Sequence, residues 1–170
     1  FQHVRLFKEM TLLENLLVAQ HRHLHGGFLS GIFNLPAFRR AEGEALDQAG
    51  FWLERVGLAE LANRPASALA YGQQRRLEIA RCMCTRPKLL MLDEPAAGLN
   101  PKETHDLDEL IRELRDEFGV SVLLIEHDMK LVMEISDHIY VVNQGTPLAD
   151  GKPDEVKNNP AVIKAYLGEF

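Results

Sequence analysis

The segment Leu89-Leu90-Met91-Leu92-Asp93-Glu94-Pro95 is an apolar run that stops abruptly at two adjacent carboxylates. It is too short and too uniformly apolar for a surface helix, so Lys88–Asp93 is predicted to be a buried parallel strand. Such a strand needs a partner strand beside it and helices across it, which directs the chain toward an α/β architecture. Lys102–Phe118 reads as the connecting helix, with Leu107, Leu110, Ile111, Leu114 and Phe118 in one apolar stripe and Gly119 as its stop. Val120–Ile125 reads as the next buried strand and ends at Glu126-His127-Asp128. A short helix is expected from about Met129 to Ile135, and Ile139–Val142 with a turn at Gln144-Gly145 reads as a strand and hairpin. Strand, helix, strand, helix, strand is the pattern of a right-handed α/β unit.

The residues before this unit are predicted to be helical. Thr11-Leu12-Leu13-Glu14 has capping-box spacing, and Leu13, Leu16, Leu17 and Leu24 continue at helical intervals. Residues 26–37, with two glycines, Ser30, Gly31, Asn34 and Pro36, read as a loop or insertion. A second helix is expected from about Arg40 to Val56, burying Ala45, Ala49, Trp52, Leu53 and Val56 and ending at Gly57. Gly72 to about Arg86 is a third, closed by Pro87, and the tail from Pro153 is also predicted to be helical.

Composition narrows the function. The chain has 170 residues, 46% hydrophobic and 26% charged, as soluble globular domains do. A net charge of −6 argues against non-specific nucleic-acid binding. No apolar run approaches the roughly 20 residues that span a bilayer, and no basic and apolar leader marks the chain for export. Cys82 and Cys84 lie on different faces of a predicted helix, and two buried thiols fit a reducing, cytoplasmic setting. The chain opens at Phe1-Gln2-His3-Val4 without an initiator Met and reads as beginning in mid-fold.

In an open parallel sheet, ligands gather beyond the carboxyl ends of the strands. Asp93-Glu94 and Glu126-His127-Asp128 should therefore share one edge. One Asp at a strand end suits Mg²⁺, which takes few carboxylates and completes its shell with waters and phosphates. On an extended segment Glu94 would point away from Asp93, where it could polarise an attacking water. The plainer alternative is that Asp93-Glu94-Pro95 only leaves the core and caps the next segment. Gly72-Gln73 opens a helix whose amides could face a phosphate, or is an ordinary glycine start. Arg75 and Arg76 oppose the helix dipole in a first turn and are expected to reach solvent, Glu78 or a partner. His127 is either a helix-start histidine or a donor to a terminal phosphate. His21-Arg22-His23-Leu24-His25 has no acidic or Cys ligand beside it and reads as a solvated helix end, not a metal site.

Taken together, Tyr71-Gly72-Gln73-Gln74-Arg75, Leu89–Glu94, Ala97-Gly98-Leu99-Asn100-Pro101 and His127 resemble the nucleotide-binding domain of ATP-binding cassette (ABC) proteins. Phe1-Gln2-His3-Val4-Arg5-Leu6-Phe7, Glu126-His127-Asp128-Met129 and Val142-Asn143-Gln144-Gly145 are similar to the ATP-binding subunits of branched-chain amino-acid importers. The resemblance covers essentially the whole chain. It implies a P-loop NTPase-like α/β domain with a helical subdomain. Residues 1–70 would hold the Q-loop and that subdomain, 71–150 the catalytic core, and 151–170 a helical tail.

It further implies ATP and Mg²⁺ as cofactors, a second ABC subunit as dimer partner, and permease subunits at the cytoplasmic face of the membrane. Gln2 would be the Q-loop glutamine, contacting Mg²⁺ and the permease. Leu69, Ala70, Tyr71, Gly72 and Gln73 would form the signature that clasps ATP on the opposite subunit. Asp93 would be the Walker B aspartate and metal ligand, Glu94 the catalytic base, Ala97–Pro101 with Asn100 the D-loop, and His127 the switch histidine. Ala70 departs from the usual Ser, removing one hydroxyl contact to phosphate. No Gly-x-x-x-x-Gly-Lys-[Ser/Thr] run occurs in these residues. The chain alone is therefore expected to bind ATP poorly, to leave apolar surface uncovered and to aggregate. The rival readings are a non-transport soluble ABC ATPase and a catalytically silent fragment that only binds a partner subunit.

Overall fold

Thr11 closes a reciprocal cap with Glu14, its hydroxyl accepting from the Glu14 amide while the Glu14 carboxylate accepts from the Thr11 amide. That cap starts helix α1, Leu12–Gln20, in a computed structural model that describes residues 6–21 and 36–167. Leu12 and Leu16 face inward from α1. Helix α2, Pro36–Arg55, begins earlier than its apolar spacing indicates, and buries Ala45, Ala49, Trp52 and Leu53. Val56 is buried just beyond it, and Gly57 turns the chain with φ +67°. The predicted 26–37 loop and His23 and His25 lie outside the described residues, apart from the start of α2.

Helix α3, Tyr71–Met83, leads through a turn with Arg86 at φ +52° into strand β1, Leu89–Asp93. Helix α4, Pro101–Asp116, carries the chain to strand β2, Ser121–Ile125, which pairs parallel to β1. Helix α5, Met129–Ile135, then leads to an antiparallel hairpin of β3, Ile139–Asn143, and β4, Thr146–Gly151. The tail forms α6, Pro153–Lys157, a single turn α7 at Pro160–Val162, and a wide turn at Ile163–Leu167. None of the helices among the described residues is long and apolar enough to cross a membrane.

One expectation needs correction and one holds. The strands are parallel as anticipated, but they are buried on one face only. Leu90 and Leu92 pack inward, whereas Met91 is 54% and Ile125 56% exposed, because helices cover a single side of this two-stranded sheet. The hairpin expected at Gln144-Gly145 is present: both residues are at positive φ and fold β3 back onto β4, the geometry of a two-residue hairpin turn.

One continuous core runs from Leu12 and Leu16 through Leu53, Leu77 and Leu92 to Leu107 and Leu114. A smaller core of Ile139, Val141, Val156 and Val162 lies beneath the hairpin. The polar knot of the first is Asn15, wholly buried. Its Oδ1 accepts from the Phe7 amide at 2.9 Å, and its Nδ2 donates to the Phe7 and Thr11 carbonyls at 3.0 and 2.9 Å. It thereby ties the entering segment to α1. The Ser67 and Ala66 amides bond the Lys8 and Met10 carbonyls of that same segment, joining it to the loop ahead of α3.

Asn15→Ala leaves the Phe7 amide without its acceptor, while the Phe7 and Thr11 carbonyls keep their backbone donors. With the space it opens in the core, it is expected to cost about 1–3 kcal/mol in urea unfolding. A cost within error of zero would show that Asn15 is no anchor. Met91 and Leu123 are register partners on the exposed face of the sheet. The 170-residue chain alone should self-associate as concentration rises, and Met91→Lys with Leu123→Lys should suppress it, read by light scattering. A wild-type mass that stays monomeric at every concentration would contradict this.

Candidate active site

The register of β1 on β2 ends with Asp93 opposite Ile125. The Glu94 amide then bonds the Ile125 carbonyl at 2.8 Å, extending the pairing by one step. Residues leaving the two strands therefore emerge side by side. Glu94 is not extended as the sequence reading assumed: its φ is +45°, in the left-handed region. A non-glycine residue held there costs on the order of 1–3 kcal/mol and is found where the surroundings impose it. The turn is closed by the Ala97 amide on the Glu94 carbonyl at 3.2 Å. The result is a half-exposed Glu94 carboxylate at the sheet edge, with Oε1 3.6 Å from His127 Nδ1.

His127 stands between two acids of different duty. Asp128 caps α5, its carboxylate accepting from the Lys130 and Leu131 amides at 3.0 and 3.2 Å. Glu126 turns inward and its side chain is 1% exposed. The cap fixes the start of α5, so the imidazole leaves the end of β2 toward the Glu94 turn and is 72% exposed. Asp93, half-buried, lies on the same face of β1 as Met91 and beside a mainly apolar crevice that includes Ile79, Cys82 and Pro95.

A second group forms where α3 meets the start of α4. The Gln73 carbonyl oxygen accepts from the Ala70 amide, so this side chain caps its own helix. Tyr71 reaches over Gly98, which has φ +78°, and its hydroxyl accepts from Arg75 at 2.7 Å. Arg75 is buried, not solvent-seeking, and is held by Tyr71 and by Glu78 at 3.5 Å. Asn100 and Glu103 cap α4 reciprocally. The Glu103 carboxylate leans on Gly72 so closely that a Cβ there would sit 2.5 Å from its Oε1. Leu69 is buried and Ala70 exposed. Gln2 lies outside the described residues. Burial disfavours the thiolate form of both cysteines: it pushes Cys84 up to about 12, with Cys82 adding to it, and it also raises Cys82.

The family described as "ABC transporter" matches residues 1–97, more than half of the chain. The chain belongs to the ABC transporter family. A second family, described as branched-chain amino acid ATP-binding cassette transporter, matches residues 146–170. LivG of Salmonella typhimurium, a high-affinity branched-chain amino acid transport ATP-binding protein, is 72% identical over 169 residues. BraF of Pseudomonas aeruginosa, of the same description, is also 72% identical, and a probable LivG of Archaeoglobus fulgidus is 40% identical. The chain spans 66% of the length of the Salmonella protein, with 99% of its own residues aligned. Among solved structures, the ADP conformation of an ATP-binding cassette of an ABC transporter superposes with a TM-score of 0.74 at 35% identity. That match covers 95% of this chain and 64% of the other.

This α/β cassette thus brings Asp93, Glu94 and His127 to one edge, and Tyr71, Gly72 and Asn100 to a junction between α3 and α4. The sequence reading set Glu126 at the shared edge and offered Glu78 as a partner for Arg75, but it anticipated neither the Glu103 contact, the inward turn of Glu126 nor the burial of Arg75. Asn100-Pro101-Lys102-Glu103 does carry capping spacing that points to Glu103. Gly72→Ala must displace the Glu103 carboxylate and is expected to cost about 1 kcal/mol in urea unfolding through the weakened α4 cap. Made on Glu103→Ala, the same change should cost little or nothing. Equal costs in both backgrounds would contradict the contact.

Proposed function

We propose that this chain forms the greater part of the ATP-hydrolysing subunit of an importer for branched-chain amino acids. Its similarity to LivG and BraF, branched-chain amino acid transport ATP-binding proteins, supports the substrate class. The observation that carries the chemistry is the 3.6 Å approach of Glu94 to His127 beside Asp93 on one sheet edge. The activity is proposed for the full-length subunit, since these residues contain no Gly-x-x-x-x-Gly-Lys-[Ser/Thr] run.

In this reading Glu94 orients a water and takes its proton as that water attacks the terminal phosphate of ATP. His127 donates a hydrogen bond to the phosphate, and its neighbour Glu94 holds the ring toward it. Among the described residues there is no group of three or more His, Cys, Asp or Glu able to hold a metal by themselves. Mg²⁺ fits that donor set, because it takes one or two carboxylates and completes its shell with phosphate and water. Asp93 and Gln2 would hold the ion, which supplies charge neutralisation at the phosphates.

Leu69–Gln73 would face ATP on a second cassette, with the Gly72 backbone offering the approach and Ala70 contributing no hydroxyl. Asn100 would complete that interface from the D-loop. Residues 1–70 would serve as Q-loop and helical subdomain against the permease, 71–150 as the catalytic core and 151–170 as a tail. The subunit would work at the cytoplasmic face of the membrane, attached through the permease.

Glu94→Gln in the full-length subunit, assembled with its partners, should bind ATP as before while turnover falls on the order of 10²-fold or more. Undiminished turnover, measured as phosphate release, would remove Glu94 from the role of base.

A further inference from the structure

Glu126 is a buried carboxylate that the hydrolytic reading leaves unused. Its two oxygens serve two different loops. Oε1 accepts from the Ala96 amide at 2.9 Å, and Oε2 accepts from the His127 amide at 3.2 Å. Ala96 lies in the turn that begins at Glu94, so one side chain holds both the Glu94 turn and the root of the imidazole. Oε2 also lies 3.9 Å from His127 Nδ1. The backbone links already described tie the Glu94 amide to the Ile125 carbonyl and close the turn on itself from the Ala97 amide to the Glu94 carbonyl, but neither joins the far side of the turn to the end of β2. Glu126 fixes the far side, and Glu94 at φ +45° needs such a restraint to stay in the left-handed region.

We propose that Glu126 is a positioning residue, which sets the Glu94 carboxylate against His127 by bridging the Ala96 and His127 amides. This rests on the reading of Glu94 and His127 as the hydrolytic pair. A carboxylate that merely satisfied buried amides would affect stability and leave the turnover of folded protein alone. A carboxylate that positions the pair must affect the chemical step, because small misplacements of reacting groups weigh heavily on rate.

The test uses the full-length subunit assembled with its partner subunits. Glu126→Gln keeps the length but presents an N–H₂ to one of the two amides, so one anchor is lost. Glu126→Asp keeps two acceptors and shortens their reach. Both should lower kcat by on the order of ten- to a hundredfold per folded molecule, with KM for ATP changed by no more than about twofold. Added to Glu94→Gln, Glu126→Gln should lower the residual rate little further, since both act on one step. The His127 ring signals of ¹³C-histidine-labelled Glu126→Gln should shift without nucleotide.

Wild-type kcat per folded molecule in both variants overturns the proposal, as does a loss fully additive with Glu94→Gln. Failure of both variants to fold overturns it too, since the carboxylate would then serve the fold and not the site. Full turnover in Glu94→Gln alone would defeat the underlying reading, whatever Glu126→Gln does.

Discussion

The parallel pairing of β1 with β2 is the constraint on which the rest of the molecule depends. Because the strands run the same way and end in register at Asp93 and Ile125, the chain must release Asp93-Glu94 and Glu126-His127 at one edge. An antiparallel pair would have sent them to opposite ends. The backbone bond from Glu94 to Ile125 and the two bonds of Glu126 convert that nearness into a fixed relation. Helix α4 makes the pairing possible by carrying the chain back over the sheet, and Asn100 and Glu103 start it at the right point.

The same economy governs the helical first part. Asn15 binds the segment around Phe7 to α1, and the amides of Ala66 and Ser67 bind that segment to the loop ahead of α3. Arg81 of α3 lies over the Phe7 ring, 5.0 Å from its centre. The segment around Phe7 thus touches α3 near its end at Arg81 and is bonded to the loop that leads into its start, where Tyr71 and Gly72 stand. Gly72 in turn touches Glu103 at the cap of α4. Physical contacts thus run without a break from the entering segment to the helix that follows the Glu94 turn.

Much of this was legible in the sequence, and for identifiable reasons. Caps and periodicity are local, so Thr11–Glu14, the Gly57 and Gly119 stops and the stripe on α4 were read nearly residue by residue. The shared edge followed from the alternation of strand and helix. The exposed face of the sheet did not, because an apolar run looks alike whether one face or both are covered. The positive φ of Glu94 was hidden as well, since only Gly announces that conformation by its identity. Arg75 illustrates the same limit: a guanidinium suggests the surface, and the proximity of Tyr71 and Glu78 helps make its burial tolerable. Glu126 and Glu103 gain their meaning from residues distant in the chain, Ala96 and Gly72, which no local pattern reveals.

The central claim is that two strand ends form one hydrolytic edge. The most direct measurement is an experimental structure of the full-length Glu94→Gln subunit assembled with its partners and trapped with ATP and Mg²⁺. The account predicts the residue 94 amide and the His127 imidazole within about 3–4 Å of the terminal phosphate or its attacking water, with Asp93 on the ion. Residue 94 and His127 turned away from the phosphate, or Asp93 engaged elsewhere in the protein, would contradict it.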